Sequence, residues 1–196
     1  LGDEYRASVG SKYMQSYTVD GFRSIDLKGK WLVTGTPCQI DSFRRLLKLK
    51  HKEDNFILMD FFCHGVPSMW MWQNYLNLNQ PVTGELKSVS WRNKRTGWHD
   101  SWAMKLVGEK SEVYSLMSKG DLFYRLFLGG WCMNKACVKN CKYKWKASSA
   151  DIRIGDLWGL TYQKEEKGVS ALITFTEKGE KVVKGLQNCS IKELPF

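Results

Sequence analysis

The sequence predicts an α/β fold with a mixed sheet. Two successive stretches have the order strand, loop and helix, which is typical of a mainly parallel sheet. A third stretch, residues 86–116, has the pattern of antiparallel strands. A cysteine-rich loop follows these stretches, and the α+β class is the alternative that this order leaves open.

The first half of the chain supplies the first strand–loop–helix stretch. Residues 11–19 are rich in strand-forming side chains, and Asp20-Gly21 is a turn signal. Residues 30–34 are a short apolar strand that runs into a loop at 35–39. Residues 40–47 have apolar side chains at helical spacing and predict a helix.

The same order then repeats. The sequence predicts a strand over 56–62, a loop over 63–68 and a helix over 69–78. Residues 94–97, Lys-Arg-Thr-Gly, predict a turn within the antiparallel portion.

The last part of the chain predicts two helices and two strands. Residues 121–128 form a helix that Gly129-Gly130 ends. Strands are expected over 151–155 and 171–175, and a helix over 177–186.

The composition fits one folded domain over residues 1–196. Hydrophobic residues make up 43% and charged residues 26%, which is ordinary for a globular protein with a core. No apolar run reaches the ~18 residues of a membrane-spanning helix, and nothing near Leu1 resembles a signal peptide. We therefore expect a cytoplasmic protein without a membrane span.

The strongest chemical signal is a group of three cysteines within ten residues: Cys132, Cys137 and Cys141. This spacing suits the ligands of an iron–sulfur cluster. A zinc site and three free thiols are the alternatives. A fourth ligand must come from elsewhere, with Cys63 and Cys38 as candidates.

Much of the +10 net charge lies near these cysteines, because residues 132–146 contain five lysines and no acidic residue. Lysines so placed could offset the negative charge of a cluster held by thiolates. These residues are Lys135, Lys139, Lys142, Lys144 and Lys146.

A second candidate site is the loop after the first strand. Its residues are Gly35, Thr36, Pro37, Cys38 and Gln39. Thr36 can cap the helix that follows, and proline fits the first helical turn. The helix N-terminus would suit a phosphate or an electron-rich flavin edge. The alternative is a well-capped helix start with Cys38 in the core.

A third candidate site follows the second strand, at Cys63, His64 and Gly65. This loop should lie beside the first one, because both leave the same edge of a parallel sheet. Cys63 could be a metal ligand with His64 as its polar neighbour, or a buried cysteine beside a satisfied histidine. Asp156, at a strand end, could accept a hydrogen bond from a flavin or substrate, or pair with a lysine.

Six motifs in one order resemble the beta subunit family of coenzyme F-420 (deazaflavin) hydrogenase and dehydrogenase. The likeness covers roughly residues 9–180, and it is to the bacterial type of relative whose genes often accompany polysaccharide-synthesis genes. The motifs are Ser11-Lys-Tyr-Met-Gln-Ser16, Gly35-Thr-Pro-Cys-Gln39, Cys63-His-Gly-Val-Pro-Ser68, Trp91-Arg-Asn-Lys-Arg-Thr-Gly-Trp98, the cysteine loop, and Asp151-Ile-Arg-Ile-Gly-Asp-Leu-Trp-Gly159.

The resemblance implies an oxidoreductase that contains FAD and a 4Fe–4S cluster. It would pass electrons between a one-electron carrier and a two-electron acceptor, which is deazaflavin in relatives and is left open for this chain. The implied flavin-binding residues are 35–39, His64, Gly65 and Asp156. The implied cluster ligands are Cys63, Cys132, Cys137 and Cys141.

The implied partners are a ferredoxin-like donor, or a fused ferredoxin domain, and a small-molecule acceptor. We expect the chain to be a fragment without the N-terminal ferredoxin-like segment of many bacterial relatives, and a homo-oligomer is left open. Nucleic acid is not the expected partner. Two other hypotheses compete: a zinc-stabilised basic module that binds nucleic acid or an acidic protein, and a thiol enzyme that uses Cys38 alone.

Overall fold

The computed structural model describes residues 10–144 and 147–194. Among these residues the contacts divide the chain into two compact units. The first, called the aromatic unit, contains residues 10–16, 64–141 and 157–169. The second, called the sheet unit, contains residues 17–63, 142–144, 147–156 and 170–194.

Helices and strands alternate along most of the described chain. In chain order they are α1 (Val19–Ser24), β1 (Trp31–Thr34), α2 (Pro37–Lys50), β2 (Phe56–Phe61), α3 (Met69–Thr83), β3 (Leu86–Ser90), β4 (Ala103–Gly108), β5 (Glu112–Leu116), α4 (Leu122–Leu128), α5 (Lys135–Lys139), β6 (Ile152–Asp156), β7 (Ser170–Thr174) and α6 (Glu177–Lys184).

The sheet unit contains a four-stranded sheet in the order β1-β2-β6-β7. β1 and β6 both run parallel to β2, and β7 is antiparallel to β6. Met59 is opposite Thr34 on one side and Ile152 on the other. The predicted α/β class and mixed sheet are confirmed.

The core of the sheet unit follows from the sequence spacing. Ile40, Phe43 and Leu47 lie on one face of α2 and are fully buried. They belong to one apolar cluster with Phe56 and Leu58, the inward residues of β2. Helical spacing in α2 and alternation in β2 therefore bury two matching faces.

The aromatic unit contains the antiparallel sheet β3-β4-β5 and the helices α3, α4 and α5. The predicted turn at 94–97 is present, with the Gly97 N–H donating to the Lys94 carbonyl oxygen at 3.1 Å. The buried core combines rings from α3 and α4 with aliphatic side chains of β4. Its members are Met71, Trp72, Tyr75, Met104, Leu106, Phe123, Tyr124 and Phe127.

Two local predictions are wrong. Residues 11–19 do not form a strand: Ser11 makes a single bridge with Trp91, and the residues up to Thr18 are irregular. Asp20-Gly21 lies inside α1 rather than in a turn. The helix places Phe22 against Phe43 with ring centroids 4.7 Å apart, and this apolar contact outweighs the local turn preference.

None of the described helices combines the length and the apolar character needed to span a bilayer.

Candidate functional site

Three neighbouring parallel strands end at one edge of the sheet unit. β1 ends at Thr34, β2 at Phe61 and β6 at Asp156. The Gly35 N–H donates to the Met59 carbonyl oxygen at 3.2 Å, and the Phe62 N–H donates to that of Ile154 at 3.3 Å. The candidate loop 35–39, Cys63 and Asp156 therefore follow or end adjacent strands, as the parallel topology predicts.

The loop 35–39 starts α2 with a capping box. The Thr36 side chain accepts from the Gln39 N–H, and the Gln39 Oε1 accepts from the Thr36 N–H at 2.9 Å. Pro37 has no N–H to offer. Since the capping box occupies two of the amides in this loop, a ligand here would meet Cys38 and the positive helix end rather than a row of free amides.

Cys38 is exposed in the first turn of α2, so the core alternative for this residue is wrong. Its Sγ lies 3.3 Å from Thr36 Oγ1, and its carbonyl oxygen accepts from Ser42 Oγ at 3.0 Å. The sequence motif has thus placed a thiol at a helix N-terminus where a redox group or oxidant can reach it.

A polar cluster flanks the same helix one turn further on. Asp41 is paired with Arg45 at 2.9 Å and accepts from Ser149 Oγ. Burial alone would raise the pKa of Asp41, but hydrogen bonds from Ser149 and Tyr143 and the charge of Arg45 lower it below its ordinary value. Burial and the hydrogen bond to Asp41 raise the pKa of Tyr143. Both groups therefore keep their usual charge states near neutral pH.

The structure adds an ion pair that the sequence analysis did not single out. Asp60 and Arg153 are opposite one another on β2 and β6, and both are fully buried. Arg153 donates from Nε and Nη2 to the two carboxylate oxygens, each at 2.7 Å, and Ser148 Oγ donates to the same carboxylate at 2.7 Å. The sequence signal that could have predicted this pair was a charged residue inside each of two apolar strands.

In the aromatic unit, the segment 64–68 runs antiparallel to the start of the cysteine loop. The Ser68 N–H donates to the Cys132 carbonyl oxygen at 2.9 Å. The Asn134 N–H donates to the Val66 carbonyl oxygen at 3.0 Å, and Pro67 pairs with Met133 between them. Backbone pairing therefore brings the loop that follows Cys63 against the cysteine loop, which are two of the candidate sites predicted from the sequence.

Gly65 lies in close contact with the cysteine loop. Its φ is +141°, and a Cβ built there would lie 2.1 Å from Met133 Cε and 3.1 Å from Cys137 Cβ. His64 Nε2 is 3.0 Å from the Phe127 carbonyl oxygen, and its ring meets the Phe127 ring edge-on at 5.1 Å. His64 is thus held against α4 by a polar contact and a ring contact.

The four predicted cluster ligands are partly buried cysteines outside any disulfide. Cys63 belongs to the sheet unit, whereas Cys132, Cys137 and Cys141 belong to the aromatic unit. Across residues 10–144 and 147–194, no three Cys, His, Asp or Glu side chains are gathered closely enough to hold a metal ion. The donor chemistry of these thiols suits an iron–sulfur cluster.

The predicted lysines do not form one arrangement. Lys144 Nζ donates to the Cys63 carbonyl oxygen at 3.3 Å, and Lys142 lies 4.0 Å from Asp41. Lys135 and Lys139 are exposed on α5, and Lys146 lies outside the described residues. Of these, Lys144 is therefore the one that the structure shows in contact with a predicted ligand residue.

The comparison with protein families gives a match over most of the chain. The matching family is described as the C terminus of the beta subunit of coenzyme F420 hydrogenase/dehydrogenase, and residues 29–194 are matched. The match includes both candidate loops, all three loop cysteines and Asp156. The chain matches none of the curated proteins with which it was compared. On this match, the chain belongs to the coenzyme F420 hydrogenase/dehydrogenase beta subunit family, a family of oxidoreductase subunits, and corresponds to its C-terminal region.

Proposed function

We propose that this chain is the flavin- and iron–sulfur-binding part of an oxidoreductase. The observation that carries the proposal is the cysteine loop of a member of this family, paired through its backbone with the 64–68 loop. Three thiols outside any disulfide occupy this loop, and thiolates are the protein ligands of iron–sulfur clusters.

The proposed cluster is of the 4Fe–4S type, with Cys132, Cys137 and Cys141 as three of its ligands. The family resemblance supplies Cys63 as the fourth. Because a cluster cross-links its ligands, binding should stabilise the fold as well as supply an electron carrier.

The proposed flavin is FAD, with residues 35–39, His64, Gly65 and Asp156 at its site. FAD accepts electrons singly or in pairs, so it can connect a one-electron carrier to a two-electron acceptor. In this chain, the capping box fixes the first turn of α2 and leaves Cys38 exposed beside Thr36. That turn would present the positive helix end to the electron-rich edge of the ring.

The proposed donor is a ferredoxin-like protein or domain, and the proposed acceptor is a small molecule. Deazaflavin is the acceptor that the family description suggests. A beta subunit also implies other subunits, so the physiological reaction is that of an assembly.

The test is the iron, sulfide, zinc and flavin content of the full chain purified without air, together with its visible spectrum. We expect iron, sulfide and flavin, with absorbance near roughly 400–450 nm. The Cys132→Ser, Cys137→Ser and Cys141→Ser variants should each lose iron. Cys189→Ser, which changes an exposed cysteine outside the loop, is the matched control and should retain it.

Three other outcomes of these measurements would contradict the proposal. Zinc without iron or flavin would replace the proposal with a zinc-stabilised binding module. Neither metal nor flavin after anaerobic reconstitution would contradict it. Iron loss in Cys189→Ser equal to that in the loop variants would show that the loop is not the metal site.

A further inference from the structure

Helix α3 is a surface helix without a charged residue. None of its 15 residues is Asp, Glu, Lys or Arg. Its inner face buries Met71, Trp72 and Tyr75, yet its outer face also carries apolar side chains, with Trp70 75% exposed and Leu78 65% exposed. A solvent-facing helix normally carries charges on that side, so this composition indicates a covered surface.

The apolar outer face continues onto the cysteine loop. Trp131 is 81% exposed and precedes Cys132, whose carbonyl oxygen is bonded to Ser68 at the start of α3. Met69 is 48% exposed, and Val138 on α5 is 62% exposed. Backbone pairing between the two segments therefore gathers several large apolar side chains in one region of the aromatic unit.

The charge on the two chain segments that meet here has one sign. No acidic residue occurs between positions 129 and 150 or between 61 and 84. Lys135 and Lys139 are exposed on α5, in the same loop as Trp131 and Val138. An apolar centre with a positively charged rim is complementary to a protein surface with an apolar centre and acidic rim.

We infer that the surface formed by Met69, Trp70, Trp131 and Val138, with Lys135 and Lys139 at its rim, binds an acidic protein partner. We call it the Trp131 face. The identification of that partner as an iron–sulfur electron carrier rests on the proposed function, because Trp131 and Val138 belong to the same chain segment as the proposed cluster ligands. Short distances between redox centres would then follow from docking at this place.

Two other occupants fit the surface less well. Nucleic acid needs cationic contacts along its phosphates, and α3 offers no Lys or Arg over its whole length. A second copy of the chain would bring the same lysines toward one another across a twofold contact, which is unfavourable. The charge pattern therefore favours a different protein of opposite charge.

The test uses a small acidic ferredoxin as the probe, titrated into the full chain by calorimetry at low and high salt. We expect Trp131→Ala to weaken binding at least about tenfold, which is about 1.4 kcal/mol, while Trp131→Phe retains most of it. The double variant Lys135→Glu, Lys139→Glu should weaken binding and reduce its salt dependence.

Matched controls come from the same unit. Leu160→Ala changes another side chain that is 82% exposed, and Lys87→Glu with Lys119→Glu reverses two exposed charges elsewhere. These variants should bind the ferredoxin like the unaltered chain. Equal weakening by the controls, or unchanged binding by the Trp131 variants, would overturn the inference.

Two further measurements separate the alternatives. Displacement of the ferredoxin by a single-stranded RNA, or self-association that Trp131→Ala abolishes in sedimentation, would assign the face to another occupant and overturn the inference. Iron and flavin content is measured on the same samples. If the chain contains iron and flavin but these substitutions leave its ferredoxin binding unchanged, only the Trp131 face is refuted. If ferredoxin binds specifically to a chain without iron or flavin, only the proposed function is refuted.

Discussion

At the scale of single residues, Gly65 sits where the loop after β2 has no room for a side chain. Its backbone lies in the positive-φ region that favours glycine, and Met133 and Cys137 occupy the space that a side chain would need. The motif residue thus has a physical role in packing, whatever group binds nearby.

The Gly65→Ala substitution should lower the free energy of unfolding by more than the roughly 1–3 kcal/mol of backbone strain. The added methyl would overlap Met133 Cε, so a packing cost adds to the strain. Urea denaturation measures the change. Gly120→Ala is the matched control, because Gly120 has φ +98° and open space at its Cβ position. Equal losses in the two variants would show that the close contact contributes nothing.

Asp60 and Arg153 make a second prediction at this scale. Removing either charge alone, as in Asp60→Asn or Arg153→Met, should cost about 3–5 kcal/mol of unfolding free energy, because the partner is left buried and unpaired. The double variant Asp60→Leu, Arg153→Met should cost far less. Glu180→Gln, which removes the exposed pair with Lys184, serves as control and should cause no measurable change. A small loss in both single variants would argue against a tightly paired core.

At the scale of secondary structure, Asp151 joins three elements of the sheet unit. Its carboxylate accepts from the Leu58 N–H of β2 at 2.8 Å, from Thr176 Oγ1 at the start of α6 at 2.8 Å, and from Arg44 of α2 at 2.9 Å. The side chain is fully buried. One carboxylate thereby fixes the sheet to the helices that cover it.

These contacts make stability depend on pH. Burial alone would raise the pKa of Asp151, but the hydrogen bonds from Leu58, Thr176 and Arg44 outweigh it, so the pKa in the folded state lies below its ordinary value. The stabilisation is therefore complete above the unfolded pKa of about 3.9 and is lost as the pH falls through the lower folded value. We expect the free energy of unfolding to drop steeply below about pH 4.

The Asp151→Asn variant tests this dependence. It should be less stable at neutral pH and should show a flatter decline in unfolding free energy between about pH 5 and pH 2. Urea titrations at several pH values measure both effects. Asp20→Asn, at an exposed position of α1, is the matched control. If the unfolding free energy of Asp151→Asn declines with acid as steeply as that of the unaltered chain, other carboxylates cause the acid sensitivity.

At the scale of the whole molecule, cofactor loading should couple to stability. Anaerobic reconstitution with iron and sulfide should raise the thermal unfolding midpoint, because a group that binds only the folded chain stabilises it. FAD at about 100 times its dissociation constant should add about 2.7 kcal/mol.

The variant in which Cys132, Cys137 and Cys141 are all serine should gain nothing from iron and sulfide, yet should still respond to FAD. Cys189→Ser should behave as the unaltered chain does. A midpoint that rises equally in the triple variant would show that iron acts on the protein elsewhere.

Most elements of this fold could be predicted from local patterns. The periodicity of residues 40–47 predicted α2, and Thr36 with Pro37 indicated its start. The N-terminal region could not be predicted in this way. Its residues favour a strand and a turn locally, but the packing of Phe22 on Phe43, 21 positions further along the chain, outweighs these local preferences.

Local patterns were enough to establish the α/β class, the parallel order of the first two strands and the family, because these depend on periodicity and on ordered motifs. Three-dimensional packing was needed to show that Asp60 meets Arg153, that segment 64–68 pairs with the cysteine loop, and that Trp131 is exposed next to a residue bonded at the start of α3. Such pairings join residues far apart in the chain, and no local pattern records which distant residue becomes a neighbour.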